Sequence, residues 1–235
     1  MDIRELILRR STPVVINSFN QHCYLQNIVA KFLDAGFLNL LVFDNGSTYP
    51  PLVDYLNRIR DDVRVMPVYY NANMGPRHFF LGKIYASVFG PCPFLYTDPD
   101  LTWGALADDF VSRLLDLTHQ YRTFKVGAAL TLPHPHELKA SAPKIKEAGQ
   151  ELDVIAFESR YWQAEVEPGV YNAPIDTTLH LFNPAYYDGT TIITGLRVAG
   201  AGYEAKHTPW FKDDPCPAEE TDFYKQLDPG WRNWV

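Results

Sequence analysis

Two carboxylates stand one residue apart in Phe94-Leu95-Tyr96-Thr97-Asp98-Pro99-Asp100, directly after a short apolar run. Alternate residues of an extended chain point the same way, so Asp98 and Asp100 would repel each other unless a cation lies near them. A hard divalent ion, Mg2+ or Mn2+, suits one or two carboxylates together with the oxygens of a diphosphate. The plain reading of the same residues is a turn, because Asp-Pro-Asp is ordinary turn chemistry. The spacing leaves both readings open. Other polar clusters also follow apolar runs: Asn17-Ser18, Asp44-Asn45 and Asn71 to Asn73. Of these, Asp44-Asn45-Gly46-Ser47 is itself rich in turn formers. His134 and His136 sit in a Pro-His-Pro-His segment that could bind a metal but reads first as a loop.

The elements that must position these groups follow from hydrophobic spacing. Residues 12–19 are a β-branched run ending in polar residues. Residues 23–35 place Tyr24, Leu25, Ile28, Val29, Phe32 and Leu33 at helical spacing, closed by Gly36. Residues 38–43 are a second apolar run. Residues 50–60 read as a helix with proline in its first turn and Leu52, Tyr55, Leu56 and Ile59 inward. A strand is expected over 63–69, a helix over 77–89, a strand over 94–97, a helix over 105–121 and a strand over 124–130. Repeated β-α units predict an α/β fold with a mostly parallel central sheet covered on both faces. Such sheets bind ligands beyond the carboxyl ends of their strands. All four polar clusters, Asp98 included, fall at those ends.

After residue 130 prolines at 133, 135, 143, 168, 174 and 184 interrupt the pattern. Short strands are expected at 154–157 and 178–182, with further candidates at 192–193 and 197–198. Residues 219–234 read as a helix and lid packing on the core. No linker-like tract divides the chain, so one domain with two subregions is expected, over about 1–130 and over a loop-rich 131–235; the nucleotide-binding and acceptor-side roles of these halves follow only from the resemblance given below.

Composition excludes several classes. With 46% hydrophobic and 21% charged residues, the chain is neither disordered nor fibrous. Three cysteines without CxxC spacing indicate neither a disulfide framework nor a zinc knuckle. A net charge of −7 argues against a nucleic-acid or anionic-membrane surface. No stretch approaches the roughly 18 apolar residues of a membrane-spanning helix. The opening residues lack an apolar core of signal-peptide length. The expected location is the cytoplasm, at most peripheral to the inner membrane face.

In this context the chain resembles the family-2-like nucleotide-sugar glycosyltransferases of the GT-A fold. Tyr96-Thr97-Asp98-Pro99-Asp100 matches the family's strand-terminal D-x-D, and Val14 to Asn20 its opening strand and polar turn. Asp44-Asn45-Gly46-Ser47-Thr48 is similar to its D-N-x-S turn, and Asn73-Met74-Gly75-Pro76-Arg77 to its N-x-G segment. Gly195 to Gly200, leading into Lys206-His207-Thr208-Pro209-Trp210, is similar to the region of its metal-ligating histidine. The resemblance implies a transfer of sugar from a nucleotide-diphosphate sugar, UDP-linked, to a saccharide or glycolipid hydroxyl, in polysaccharide or glycoconjugate synthesis. It implies that Asn17 and Phe19 line the nucleotide pocket and that Asp44 accepts from base or ribose. Asn73, Gly75 and Arg77 would lie near ribose, phosphates or sugar. Asp98 would contact ribose or metal, Asp100 would ligate Mn2+ or Mg2+, and His207 would complete the protein ligands. An inverting reaction needs a general base, and Asp176 stands where the family places it, though without the usual acidic neighbour. Glu158 and Glu204 are rivals for that role. Trp103, Tyr161, Trp162 and Trp210 are candidates for a sugar platform, with core packing the plainer reading of each.

Two other classes compete. A sugar nucleotidyltransferase would carry a glycine-rich basic loop after the first strand, where this chain has Asn17-Ser18-Phe19-Asn20-Gln21. A catalytically inactive nucleotide- or glycan-binding module of the same fold would have lost the metal set, whereas Asp98, Asp100 and His207 are all present.

Overall fold

A computed structural model describes residues 1–147, 149–189 and 191–227. The end of the expected lid, residues 228–234, lies outside the described residues. In chain order the helices and strands are α1 (Ile3–Ser11), β1 (Val14–Ser18), α2 (His22–Asp34), β2 (Leu40–Asp44), α3 (Pro50–Ile59), β3 (Val65–Tyr69), α4 (His78–Leu81), α5 (Ile84–Phe89), β4 (Phe94–Thr97), β5 (Leu101–Thr102), α6 (Phe110–Tyr121) and β6 (Lys125–Leu130). There follow β7 (Ile145–Glu147), β8 (Gln150–Leu152), α7 (Val154–Ser159), β9 (Glu165–Glu167), β10 (Val170–Asn172), β11 (His180–Phe182), β12 (Leu196–Val198), β13 (Glu204–His207) and α8 (Ala218–Gln226).

The main sheet runs β3-β2-β1-β4-β11-β6-β12-β10-β9. β1, β2, β3 and β4 are mutually parallel, with Ser18 opposite Asp44, Asp44 opposite Tyr69 and Ile16 opposite Thr97. Their carboxyl ends therefore share one edge. β11 enters antiparallel between β4 and β6. A smaller pairing sets β13 against β5, with His207 opposite Leu101.

Strand alternation divides the core between the two faces of the sheet. Val14, Ile16, Leu40, Val42 and Leu95 point into a cluster with Leu25, Ile28, Phe32, Leu52, Leu56 and Leu114 from α2, α3 and α6. Val15, Leu41, Phe43, Phe94 and Tyr96 point into an aromatic cluster with Phe79, Phe80, Tyr85 and Phe182. Burying a large apolar side chain contributes about 1.5–3 kcal/mol, so these two layers hold the carboxyl edge rigid.

Several sequence expectations are corrected. Residues 154–157 form a helix, not a strand: Asp153 caps it by accepting from the Ala156 amide at 2.7 Å. Residues 192–193 form no strand; the Ile193 carbonyl accepts from the Ile175 amide at 2.7 Å, and its amide donates to the Thr191 hydroxyl at 3.4 Å. The strand expected over 178–182 starts only at His180, which leaves Asp176 in the preceding loop. The helix expected from 105 starts at Phe110, because the Ala107 amide bonds Gly202 and its carbonyl accepts from Arg9. The helix over 77–89 is broken at Gly82-Lys83, where Lys83 turns left-handed at φ 53°. Helix α1, which the sequence reading did not predict, is capped by Asp2, whose carboxylate accepts from the Glu5 amide at 2.8 Å. Among the described residues no helix is long and apolar enough to cross a membrane.

Candidate functional site

β1 ends in a run that knits the carboxyl edge together. The Asn45 side-chain amide donates to Asn17 Oδ1 at 2.7 Å, while Asn45 Oδ1 accepts from the Met74 amide at 3.2 Å. Asn45 thus ties β1 to the segment 73–77, a role that the sequence reading did not assign. Asn20, buried and left-handed at φ 51°, accepts from the amides of Thr48 and Tyr49 at 2.8 Å. Those bonds satisfy free donors at the start of α3. Phe19 packs edge-on against Tyr224 of α8, ring centroids 6.1 Å apart.

Asp44 is buried and turned onto its own loop. Its carboxylate accepts from the Ser47 amide at 2.9 Å and from the Ser47 hydroxyl at 2.5 Å. Burial raises its pKa, and the bonds from Ser47 pull the other way. Asn73 Oδ1 accepts from the Gly75 amide at 2.9 Å, and Gly75 is left-handed at φ 82°, a conformation glycine adopts without steric penalty. This turn delivers Arg77 to Asp176, with bonds of 2.8 and 2.5 Å between guanidinium and carboxylate. The pair is half-exposed, 49% and 36% for the two side chains. Exposed pairs of this kind contribute about 0–1 kcal/mol, so it can exchange partners.

Asp98 and Asp100 leave β4 at the same edge. Asp98 accepts from the Thr177 hydroxyl, and its amide donates to the Thr177 carbonyl at 3.0 Å. Burial and the charge of Asp100 push the Asp98 carboxyl well above the usual range, against the bonds from Thr177 and Asn17. Asp100 is 9% exposed, and its Oδ1 is buried with no hydrogen-bond partner among the described residues. Its Oδ2 lies 3.4 Å from Nε2 of His207. The β5–β13 pairing makes this contact, and it is fixed further by the Thr208 amide donating to the Asp100 carbonyl at 2.9 Å. His207 stacks on Trp210, ring centroids 4.4 Å apart.

The donor set suits a hard divalent ion in part. A buried carboxylate oxygen with no partner costs about 1–3 kcal/mol or more; among the described residues Asp100 Oδ1 is such an atom, on a carboxylate whose other oxygen meets the His207 imidazole. Among the described residues no three His, Cys, Asp or Glu side chains converge as a finished cage. Two protein ligands with the remainder from a bound diphosphate is the arrangement these residues fit.

The other candidates are placed elsewhere. Glu158 is buried in an ion pair with Arg197 at 2.7 Å, and Glu204 clamps its own loop by accepting from the Gly200 amide at 2.9 Å. Trp103 packs on Phe32 in the core, and Trp210 is buried under His207. Tyr161 lies under the Arg197 guanidinium, and Trp162 meets Tyr171. His134 and His136 stack on each other, exposed, at 5.5 Å.

Sequence reading missed Lys125, a lysine inside the apolar run of β6. It is fully buried, donates to the carbonyls of Ile175 and Asp176 at 3.1 Å, and faces the Phe80 ring at 5.1 Å. Burial pushes its pKa down to about 7. It thereby holds the segment that carries Asp176 and Thr177.

No family model and no curated protein matches the sequence. Among solved structures, GalNAc-T7 with UDP, GalNAc and Mn2+ aligns at TM-score 0.52 and 14% identity, over 84% of this chain and 44% of that one. A mannosyltransferase from Pyrobaculum calidifontis, in complex with GDP-Man and Mn2+, aligns at TM-score 0.47 and 15% identity, over 74% of this chain and 45% of that one. A UDP-glucose pyrophosphorylase complexed with UDP-glucose aligns at TM-score 0.39 and 13% identity, over 92% and 99%. This chain spans less than half the length of the two transferases. The alignment with GalNAc-T7 shows the shared GT-A-type α/β arrangement, with its mostly parallel core flanked by helices.

Proposed function

We propose that this protein transfers a glycosyl group from a nucleotide-diphosphate sugar, UDP-linked, to a hydroxyl acceptor, with a divalent metal as cofactor. The observation that carries the reading is Asp100. One of its buried oxygens has no partner among the described residues, and the other faces His207 beyond the carboxyl edge of a parallel sheet, where such sheets bind ligands. That a structural neighbour of the same fold was solved with UDP and Mn2+ supports the choice of ligands.

On this reading Asp100 and His207 hold the ion, with Asp98 beside them. A divalent ion there would neutralise charge growing on the diphosphate leaving group. Asn17 and Phe19 wall the nucleotide, and Asp44, anchored by Ser47, presents its remaining acceptor capacity to base or ribose. Gly75 lets the backbone approach the donor closely, with Asn73 setting the turn. Arg77 exchanges Asp176 for donor phosphate oxygens, a bidentate contact its geometry favours. Released from Arg77, Asp176 accepts the acceptor's proton, which gives an inverting reaction.

The test is thermal unfolding with UDP, GDP, ADP and CDP, each with and without Mn2+. A ligand bound only by the native state stabilises it by about 2.7 kcal/mol at a hundredfold excess over its Kd. A metal-dependent shift with UDP is expected, and it should disappear in Asp100→Ala and His207→Ala. A metal-dependent shift unchanged in both variants would refute the site.

A further inference from the structure

We propose that Lys125 is the standby counter-charge of Asp176, taking up a proton from solvent when Arg77 leaves that carboxylate. The occasion for the exchange, binding of a donor, rests on the transferase reading above; the coupling of the three groups does not. Lys125 opens β6 and is fully buried. Its Nζ donates to the Ile175 and Asp176 carbonyls, each at 3.1 Å, and faces the Phe80 ring at 5.1 Å. An ammonium taken out of water needs a counter-ion. Asp176, whose carbonyl Lys125 already holds, is the carboxylate that favours its proton, and Arg77 is the cation that opposes it.

Asp176 is thus held from two sides. From the solvent side Arg77 grips its carboxylate with bonds of 2.8 and 2.5 Å. From the core side Lys125 grips its main chain. One full positive charge balances one carboxylate. With Arg77 in place, burial and the charge of Arg77 push Lys125 down to about 7, so above neutral pH much of it is the free amine. With Arg77 turned to a diphosphate, the opposing charge is gone and Asp176 remains. The amine lone pair then binds a proton from the water that reaches the half-exposed fork. A charged donor makes a stronger hydrogen bond than a neutral one, so the segment 175–177 is gripped harder as its side-chain anchor lets go. Thr177 bonds Asp98 through its hydroxyl and its carbonyl, so the same grip keeps Asp98 in place.

The other ionisable groups packed around Lys125 do not take that proton. His180 of the neighbouring β11 lies on the same Phe80 ring, centroids 5.8 Å apart. Its Nδ1 is 2.6 Å from the Thr178 carbonyl, which requires the hydrogen on Nδ1. Burial and Lys125 push its pKa well below the ordinary value, so it stays neutral. Tyr96 of β4 also meets Phe80 and donates its hydroxyl to the Pro76 carbonyl at 2.6 Å, and burial raises its pKa well above the usual one. On the β12 side, Gly195 lies against the Lys125 backbone, and Arg197 is turned away to Glu158 and the Pro174 carbonyl.

The experiment is an NMR pH titration of isotope-labelled lysine side chains in the wild type, Arg77→Gln and Asp176→Asn, without nucleotide. Lys125→Met identifies the Lys125 signal, and Lys125→Arg replaces it should the methionine variant not fold. Arg77→Gln should make Lys125 hold its proton about tenfold more tightly and Asp176→Asn about tenfold less tightly, the effect of one nearby charge. A lysine with a purely structural role would titrate alike in all three. Calorimetry of UDP–Mn2+ binding at pH 8, in two buffers of different ionisation enthalpy, then counts the protons. The wild type should take up about 0.4 proton more than the Lys125 variant, which is what a tenfold tighter proton on a group half-titrated near pH 7 amounts to. The proposal is overturned if Arg77→Gln leaves the titration of Lys125 unchanged, or if UDP–Mn2+ binds the wild type and the variant with the same proton count. If UDP–Mn2+ does not bind the wild type, the transferase reading fails alone, and the titration in Arg77→Gln still decides whether Lys125 answers the loss of Arg77.

Discussion

Replacing Lys125 by methionine is expected to remove a pH dependence from the protein's stability. The ammonium is fully buried and donates to the carbonyls of Ile175 and Asp176 at 3.1 Å. Burial, opposed by Asp176 and reinforced by Arg77, lowers its pKa from 10.5 to about 7. Between those values the unfolded chain binds a proton that the folded chain has released. Stability from this group therefore rises with pH across that window. The contribution is fully present above 10.5 and is lost as pH falls through about 7. One pKa unit corresponds to about 1.4 kcal/mol. Because the group is already half-titrated at pH 7, the wild-type advantage over Lys125→Met should grow by about 2 kcal/mol from pH 7 to pH 9. Urea denaturation of both proteins at several pH values in that range measures it. Taking the difference cancels the cysteines and tyrosines that titrate in both. His180, whose pKa burial and Lys125 lower, is present in both proteins, so its titration in the unfolded chain also cancels in the difference. A difference that stays constant from pH 7 to pH 9 would show that Lys125 keeps its proton throughout and that burial does not govern it.

Glu5→Ala should destabilise the fold by about 3–5 kcal/mol, the usual consequence of breaking a buried pair from one side. Glu5 is fully buried and accepts from Arg9 at 2.7 Å and from the Val111 and Ser112 amides at the start of α6 at 3.0 and 2.8 Å. A loss below about 1 kcal/mol in urea denaturation would mean that these donors find other partners. Gly127→Ala should cost about 1–3 kcal/mol by overpacking, since its Cβ would stand 2.5 Å from the Leu179 carbonyl oxygen. An unchanged Tm would contradict that close approach of β6 and β11. Arg77→Ala should raise KM for the nucleotide sugar about 10- to 100-fold, the loss of charged hydrogen bonds to phosphate. Steady-state kinetics with KM and kcat both unchanged would remove Arg77 from the donor site.

Most of the first 130 residues were legible as sequence. The β-branched run Val14-Val15-Ile16 reads as a buried strand, and the apolar stripe from Tyr24 to Phe32, at helical spacing, as a helix packed on it. Errors arose where local signals were weak or shared. The run from Val154 to Phe157 is short and apolar, so period alone did not separate strand from helix, and the deciding residue was the cap Asp153. The start of α6 moved because Arg9 and Gly202, distant in sequence, take up the backbone of Ala107.

By itself the sequence determined the β-α repeat, the polar clusters at the carboxyl ends of the first strands, and the adjacency of Asp98 to Asp100. Each of these depends on neighbours within a few residues, because side-chain periodicity is a property of the local backbone. Only the tertiary structure decided which distant groups meet. Pairing of β5 with β13 brought His207 to Asp100, and insertion of β11 between β4 and β6 set Thr177 on Asp98 and Lys125 under Asp176. Strand pairing depends on how the whole core closes. No local spacing encodes it, and the pairing of Arg77 with Asp176 became visible only once the chain was folded.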